Sequence, residues 1–159
     1  MIRPASAADM EAVYRMGYDA WSDFKPLPEY LVACSLSNKY RAGTWYVLEE
    51  KGRLASSLIV YRFPRRVFGL GSIATPPAER GRGHASALIA GVLDRLDAEP
   101  AESVYLHSDI RPGFYERFGF RALPPALQRR PKSTCMIRCP SRRFQALVSD
   151  PGYRAPDYF

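Results

Sequence analysis

Residues 75–86 read Thr-Pro-Pro-Ala-Glu-Arg-Gly-Arg-Gly-His-Ala-Ser and lead from a β-rich run into the clearest helical pattern of the chain. That helix is predicted from apolar residues at steps of three and one, namely Ala85, Leu88, Ile89, Val92, Leu93 and Leu96. The first amides of a helix have no partner within it, and the helix dipole adds about half a positive charge there. Glycines let an anion approach the backbone, and Arg80 and Arg82 add charge. The stretch therefore predicts a phosphate-binding loop.

Two other glycine-rich nucleotide loops do not fit these residues. A P-loop ends in Gly-Lys-Ser or Gly-Lys-Thr, and neither sequence occurs in this stretch. A dinucleotide fingerprint that begins at Gly81 and Gly83 needs a third glycine where Ser86 stands. The remaining structural alternative is a tight strand-to-helix turn that binds no ligand.

The loop resembles the signature of the GNAT superfamily of N-acetyltransferases, which is Arg or Gln, two residues, Gly, one residue, then Gly or Ala. Here these positions are Arg80, Gly83 and Ala85, and Pro77 also stands where the family has a proline. The resemblance implies that the cofactor is acetyl-CoA and that its acetyl group is transferred to an amine acceptor. It also implies that the preceding strand is splayed and binds the pantetheine arm through its backbone.

The resemblance carries a set of site residues. The implied cofactor-binding residues are Ile73, Ala74, Thr75, Arg80, Gly81, Arg82, Gly83, His84, Ala85, Ser86, Ser108 and Tyr115. His84 is expected to contribute only its backbone amide. Gly69 and Gly71 weaken the strand before the loop, and such glycines mark a bulge or a close approach to the backbone. That feature suits the expected pantetheine arm.

Residues 114–120 read Phe-Tyr-Glu-Arg-Phe-Gly-Phe and match a second family pattern of Tyr, three residues, Gly and an aromatic residue. The resemblance implies that Tyr115 lies beside the coenzyme A sulfur and protonates the leaving thiolate as general acid. A phenol suits this role because its ordinary pKa of about 10 keeps it protonated at neutral pH. Packing is the alternative: Gly119 can end the helix in a left-handed conformation, and Phe120 then packs on Tyr115. Ser108 stands where the family often has Asn.

The general base is not defined by the sequence. Many relatives place a Glu on the strand before the loop or on its neighbour, but residues 67–75 contain no acidic residue. We expect deprotonation of the acceptor through ordered water, assisted by Asp109 as the first candidate catalytic side chain, with His107, Glu49 and Glu50 as further candidates. Two structural alternatives remain: Asp109 can cap the helix that follows, and His107 can be a packed strand residue.

The strand and helix signals predict a single N-acetyltransferase domain of α/β (α+β) class over residues 1–159. The predicted elements are a strand over 2–5, a helix over 7–22, a helix from 28, a hairpin of 44–49 with 54–63, a strand over 67–75, the helix after the loop, a strand over 104–106, a short helix over 112–119 and a strand over 134–137. The alternation in the second half predicts a parallel βαβ crossover. The resemblance implies a mixed, mostly antiparallel sheet that is splayed around the cofactor and flanked by helices.

Two segments are less regular. In the helix from residue 28, Leu31, Val32 and Cys34 are predicted to face inward, which makes Cys34 a core residue rather than a nucleophile. Residues 141–159 form a tail, with Tyr158 among its aromatic residues, that either packs on the core or is mobile. The resemblance implies that the acceptor site lies near residues 21–36 and that acceptor specificity depends on that segment and on this tail.

Composition narrows the class of protein. The chain has 159 residues, 47% hydrophobic and 25% charged, as in ordinary globular domains. An apolar secretory signal and a membrane span are both missing, so we expect a cytoplasmic protein without a membrane partner. Three cysteines without a CxxC spacing, and two histidines, predict no metal site.

The net charge, and the absence of an acidic residue from the strand before the loop, leave more than one interpretation of the ligands and of the function. The net charge of +7 favours anionic ligands, which include the phosphates of coenzyme A, and nucleic acid is the weaker interpretation. A homodimer is compatible with the sequence. Because the strand acid is missing, a catalytically silent acyl-CoA sensor of the same fold remains the alternative to an enzyme.

Overall fold

The computed structural model describes residues 1–157 and residue 159, and the chain divides into two compact units. The first unit comprises residues 1–61 and 71–98, and the second unit comprises residues 62–70 and 99–159. The strands are β1 (Ile2–Pro4), β2 (Thr44–Glu50), β3 (Arg53–Phe63), β4 (Val67–Ala74), β5 (Ser103–Ser108), β6 (Arg121–Ala122) and β7 (Thr134–Arg138). The helices are α1 (Met10–Met16), α2 (Tyr18–Trp21), α3 (Leu27–Leu36), α4 (Asn38–Arg41), α5 (His84–Ala98), α6 (Gly113–Glu116) and α7 (Ser141–Ser149).

The strands form a mixed sheet in the order β1-β2-β3-β4-β5-β7-β6. Pairing is antiparallel for β1 with β2, β2 with β3, β5 with β7 and β6 with β7, whereas β4 and β5 are parallel. The parallel pair is joined through α5, as the sequence predicted for this half. The fold class of a mixed, mostly antiparallel sheet flanked by helices is therefore confirmed.

Local chemistry accounts for the hairpin of β2 and β3. Lys51 and Gly52, which join the two strands, have φ of 49° and 73°. Positive φ at both central residues defines a type I′ turn, whose twist matches that of antiparallel strands. The predicted hairpin is confirmed.

The predicted helix over 7–22 is wrong as a single element. A 3₁₀ turn at Ala7–Asp9 precedes α1, and Gly17 separates α1 from α2. The ring of Trp21 packs on the backbone of Gly17 so closely that a Cβ there would lie 2.0 Å from the ring. A side chain at position 17 would therefore have to displace the ring of Trp21.

The inward face of α3 was predicted only in part. Cys34 is buried as expected, but Val32 is 58% exposed, which makes its predicted orientation wrong. Tyr30, one helical turn before Cys34, is buried instead. The neighbouring residues Asp23 and Phe24 have positive φ, and Phe24 is fully exposed.

The helix that follows the loop, α5, buries the face that its periodicity predicted. Its buried residues are His84, Leu88, Ile89, Val92, Leu93 and Leu96. The rest of the predicted face, Ala85, is half-buried. This face holds the start of α5 in a fixed position behind the loop.

In the second unit, β5 and β7 carry a core that the tail covers. Its buried residues are Tyr105, Leu123, Cys135, Ile137 and Tyr153. Phe144 and Leu147 of α7 pack against this core. The hydroxyl groups of Tyr105 and Tyr153 share a buried hydrogen bond of 2.6 Å, and Tyr158 lies outside the described residues.

The glycines of β4 were predicted to let another group lie close to the backbone, and at Gly69 that group is a side chain of this chain. A Cβ there would lie 2.5 Å from the ring of Phe159, so the tail of the chain fills the space. The interpretation that Gly69 makes room for pantetheine is wrong. A backbone irregularity does follow Gly71, because Ser72 has a φ of 45°.

Within the described residues, no helix is both long enough and apolar enough to cross a membrane.

Candidate active site

The predicted phosphate loop connects β4 to α5 and has the backbone that its glycines allow. Gly81 has a φ of 76° and Gly83 a φ of 82°, in the region that favours glycine. A Cβ at either position would meet no atom of the described chain within 4 Å. The glycines are therefore required by backbone conformation, and their surface is open to a ligand.

The helix α5 begins directly on this loop. The amide of Ala87 donates to the carbonyl oxygen of Gly83 at 2.9 Å, which closes the first helical turn. As at any helix start, the amides before it have no carbonyl partner within the helix. A 15-residue helix behind them supplies the positive end of its dipole. The loop therefore fits an anionic group such as a pyrophosphate.

The two arginines of the loop are paired within the chain. Arg80 donates from Nε to the carbonyl oxygen of Thr75 at 2.9 Å and pairs with Asp19 at 2.8 Å. The Arg80 guanidinium lowers the pKa of Asp19 below its ordinary value. Arg82 pairs with Glu79 at 3.0 Å. Both guanidinium groups are about half exposed, and surface ion pairs contribute only about 0–1 kcal/mol, so both arginines remain exchangeable toward phosphate.

The side chain of His84 is a feature that the sequence reasoning missed. Only its backbone amide was expected to matter, but its imidazole is buried, with 9% exposed. Its Nε2 lies 3.4 Å from a carboxylate oxygen of Glu79, and its Nδ1 lies 3.7 Å from Glu50. These residues line a cavity of about 380 Å³ at the loop. The His84 side chain thus packs beneath the loop. In the sequence, the acidic Glu79 five residues earlier was the feature that could have indicated a side-chain contact for His84.

The end of β4 is held in place by Ser56 of β3. The Ser56 hydroxyl donates to the carbonyl oxygen of Ala74 at 2.8 Å and lies 3.0 Å from the hydroxyl of Thr75. Of the three residues expected to bind pantetheine through their backbone, Ala74 and Thr75 thus have carbonyl oxygens that already accept hydrogen bonds, from Ser56 and Arg80 respectively. Ser56 was not predicted, because a serine inside a strand gives no distinctive signal.

The parallel ladder between β4 and β5 ends before either strand does. Among the described residues its register runs from Val67 with Ser103 to Leu70 with Leu106. Yet β4 continues to Ala74 and β5 to Ser108. Beyond Leu70 and Leu106 the described residues of these two strands do not pair, at the end where a splay was predicted.

Tyr115 lies on α6 and is buried among aromatic rings. Its ring centroid is 6.3 Å from that of Phe120 and 5.0 Å from that of Phe114. Gly119 has the predicted left-handed conformation, with a φ of 87°, but the predicted helix over 112–119 is wrong at its end, because α6 stops at Glu116 and residues 117–119 form a turn. Burial, with a smaller contribution from the negative charge of Asp109, raises the pKa of Tyr115 to about 12. The phenol is therefore protonated throughout the neutral range.

Ser108 and Asp109 follow directly at the end of β5. The Ser108 hydroxyl donates to the carbonyl oxygen of Ile110 at 2.7 Å and accepts from its amide at 3.3 Å. Asp109 is exposed, and both residues line a cavity of about 560 Å³. The N-cap of α6 is Pro112, and no side chain makes a capping hydrogen bond there, so the capping alternative for Asp109 is wrong.

The other three candidates for the base differ in their surroundings. His107 is half-buried, with its ring centroid 5.3 Å from that of Phe159, as expected for a packed strand residue. Glu49 accepts from Nε of Arg3 at 2.9 Å, which gives it a structural role. Glu50 lies near His84, as described above.

Burial also decides the state of Cys34. It raises the pKa of the Cys34 thiol above its ordinary value. A nucleophilic cysteine needs the thiolate form near neutral pH. The surroundings of Cys34 therefore fit a core residue, in agreement with the sequence.

Comparison with known proteins gives one family and many similar folds. The family model described as the acetyltransferase (GNAT) domain matches residues 1–123. A comparison with curated proteins found no match.

Three solved structures illustrate the similarity of fold. The PaiA N-acetyltransferase of Thermoplasma acidophilum, in complex with coenzyme A, is 10% identical with a TM-score of 0.68, and the match covers 88% of this chain and 98% of that chain. A GNAT family acetyltransferase of Brucella melitensis, in complex with acetyl-CoA, is 22% identical with a TM-score of 0.60, over 85% of each chain. The ribosomal-protein-S18-alanine N-acetyltransferase of Escherichia coli is 17% identical with a TM-score of 0.64, over 86% of this chain and 90% of that chain.

Proposed function

The chain belongs to the GNAT acetyltransferase family and is an acyltransferase that uses acetyl-CoA, and on this premise we propose that it acetylates a primary amine by direct attack on the thioester. The observation that carries the proposal is the open loop before α5, with left-handed Gly81 and Gly83 at the positive end of a long helix. These residues would hold the pyrophosphate of the cofactor through backbone amides. Ile73, Ala74 and Thr75 would bind the pantetheine arm.

Acetyl-CoA supplies an activated acetyl group: the amine nitrogen bonds to the thioester carbon while the carbon–sulfur bond breaks, and sulfur leaves with the electron pair. Tyr115 is the proposed general acid for that sulfur. Its pKa of about 12 lies above the ordinary thiol pKa of about 8.5, so the phenol first donates a hydrogen bond and gives up its proton late. Ser108 would hold the cofactor nearby.

The amine must lose a proton as the new bond forms. Since β4 carries no carboxylate and Glu49 is paired with Arg3, we propose that water removes this proton and that Asp109 assists. An exposed carboxylate at the end of β5 suits that task, because it is hydrated and close enough to raise the pKa of Tyr115. Neither a metal ion nor a covalent enzyme intermediate takes part in this mechanism.

The absence of an acidic residue from β4 also favours a second candidate function. A chain that keeps the phosphate loop but lacks a dedicated base could bind acyl-CoA as a sensor without turnover. The two functions predict the same cofactor affinity and differ in acetyl transfer alone.

A turnover screen separates these functions. The acceptors are polyamines, aminoglycosides, amino acids and peptide amino termini; one similar structure is named as a ribosomal-protein-S18-alanine N-acetyltransferase. Calorimetry with acetyl-CoA measures binding in parallel. Binding with acetylation of one acceptor class supports the enzyme, binding without turnover in every class supports the sensor, and absence of binding refutes both.

We also propose a cytoplasmic location. The three cysteines are free thiols, as is usual in a reducing compartment. Fractionation of the native host would test it, and recovery in the extracytoplasmic fraction would contradict it.

A further inference from the structure

The positive charge of the chain is concentrated in the second unit. Of the 23 lysines and arginines, 13 belong to this unit, together with 6 of the 16 acidic residues. The second unit therefore carries the whole net charge of +7, whereas the first unit has 10 residues of each sign. A charge that one part of a protein carries alone indicates a surface for an anionic partner.

Five of these arginines are joined by contacts at the amino end of β5. This set, the arginine surface, comprises Arg65, Arg66, Arg121, Arg142 and Arg143. Glu102, the residue before β5, pairs with Arg66 at 3.4 Å and with Arg143 at 3.1 Å. The Arg121 side chain of β6 donates to the hydroxyl of Ser141, the first residue of α7, at 2.8 Å. The turn after β3, the strand β6 and the start of α7 therefore form one surface.

Most of the charge of the arginine surface is not neutralised by the described residues. The carboxylate of Glu102 is shared between Arg66 and Arg143, and the other three arginines pair with no carboxylate of the described chain. Ion pairs between partly exposed groups contribute only about 0–1 kcal/mol. The arginine surface thus presents four positive charges in excess, and its two pairs can be exchanged for an outside anion.

The arginines of this surface stand at positions where local structure favours other residues. Arg65 and Arg66 have φ of 60° and 54°, a left-handed conformation that costs a residue with a Cβ about 1–2 kcal/mol. Arg142 and Arg143 lie in the first turn of α7, where the positive end of the helix dipole favours acidic residues. Neither placement stabilises the fold. Residues that break local rules in this way are expected where a function requires them.

The exposed apolar side chains indicate the class of the partner. The large apolar residues that are exposed in the described chain are Met1, Trp21, Phe24, Val32, Leu36 and Ile110. Of these, only Ile110 belongs to the second unit, and it follows the carboxyl end of β5. Protein interfaces have an apolar core, and membrane-surface helices bury an apolar face, whereas nucleic-acid interfaces are polar and strongly positive. The arginine surface fits the last class.

We propose that the arginine surface binds nucleic acid through its backbone phosphates. Guanidinium groups hold phosphates through paired hydrogen bonds, and such contacts do not depend on base sequence. Ser108 and Asp109 follow the opposite end of β5, roughly 20 Å away along the strand. The surface is therefore separate from the proposed catalytic residues, and the inference does not rest on the proposed function.

The salt dependence of binding tests the inference on the full chain. A fluorescently labelled DNA duplex of mixed sequence is titrated with the protein at several salt concentrations, with acetyl-CoA in excess to occupy the loop before α5. Each neutralised phosphate contributes about −0.9 to the slope of log affinity against log salt concentration. Four excess charges predict a slope of about −3.6, and therefore roughly 10²-fold weaker binding at about 200 mM than at about 50 mM salt. An RNA duplex is measured in parallel, and this dependence for either duplex supports the inference.

Two double variants locate the binding. Arg65→Gln with Arg142→Gln should reduce the size of the slope by about 2, since each lost phosphate contact reduces it by about 1. The control is Arg15→Gln with Lys25→Gln, which removes the same charge from exposed positions of the first unit and should keep the wild-type slope. Chemical denaturation confirms that both variants are folded.

Three results would overturn the inference. The first is that neither duplex binds at the lowest salt concentration. The second is that the two double variants show the same slope, which would mean that net charge matters and the arginine surface does not. The third is that polyglutamate or vesicles of phosphatidylserine bind as tightly as the duplexes, which would indicate an acidic protein or a membrane as the partner.

Discussion

Replacement of Gly83 by valine perturbs the phosphate loop at its most defined position. Gly83 has a φ of 82°, and a Cβ there would contact no atom within 4 Å. A left-handed conformation costs a residue with a Cβ about 1–2 kcal/mol, and a β-branched residue more. Because the valine Cβ would contact no other atom, this backbone strain accounts for the full decrease in the free energy of unfolding. The fold should survive, and the backbone at Gly83 should move toward negative φ to relieve the strain.

That movement turns the amides at the start of α5 away from the anion. A hydrogen bond to a charged group is worth about 1.5–3 kcal/mol, so the loss of one weakens acetyl-CoA binding roughly 10- to 150-fold, and the loss of several abolishes it. Calorimetry measures the affinity, and chemical denaturation confirms that the variant is folded.

Gly52→Val is the matched control for this experiment. Gly52 has a φ of 73°, and a Cβ there also meets no atom within 4 Å, but the residue lies in the turn between β2 and β3. It should lose similar stability and keep the affinity of the wild type. If folded Gly83→Val binds acetyl-CoA as tightly as Gly52→Val does, the anion site lies elsewhere and the reasoning is refuted.

The remaining predictions concern the second unit. Tyr115→Phe should keep cofactor affinity within a few-fold and lower turnover about 10²-fold or more, and a wild-type rate would make Tyr115 purely structural. Because the pKa of Tyr115 is raised from about 10 to about 12 on folding, its ionisation leaves the free energy of unfolding unchanged below about pH 10. As pH rises from there through about 12, the fold loses roughly 3 kcal/mol of that free energy. Denaturation of Tyr115→Phe should show a correspondingly shallower loss across that range, and an identical loss would contradict it. Asp109→Asn should cost less than about tenfold in turnover, whereas a loss near 10³-fold would identify a dedicated base. Tyr153→Phe leaves the buried hydroxyl of Tyr105 without its partner and should cost about 1–3 kcal/mol in chemical denaturation, and no change would show that water replaces the bond.

The features that the sequence predicted correctly depend on residues close together along the chain. The Lys51–Gly52 turn follows from two residues, and the buried face of α5 from its own periodicity. The loop before α5 combines a strand end, glycines and a helix start within twelve residues. Each of these signals is local, so no tertiary contact was needed to interpret it.

The features that were missed depend on contacts between distant residues. Gly69 lies against Phe159, and Arg80 pairs with Asp19, so neither environment is encoded near the residue itself. The His84 side chain likewise lies near Glu50 of the hairpin, which is distant in sequence. The role of Gly17 was missed although Trp21 is only four residues away, because periodicity does not reveal that the ring folds over the backbone.

A direct measurement of acetyl transfer is the strictest test of the claim that the chain acetylates an amine with acetyl-CoA. The wild-type chain is incubated with acetyl-CoA, isotopically labelled in the acetyl group, and the acceptor classes named above. Free thiol release and labelled amide are then quantified together by mass spectrometry. We expect at least one amine to gain one labelled acetyl group for each coenzyme A released, at a rate that Tyr115→Phe lowers about 10²-fold. Tight acetyl-CoA binding with no labelled amide from any class would contradict an acetyltransferase and support the sensor.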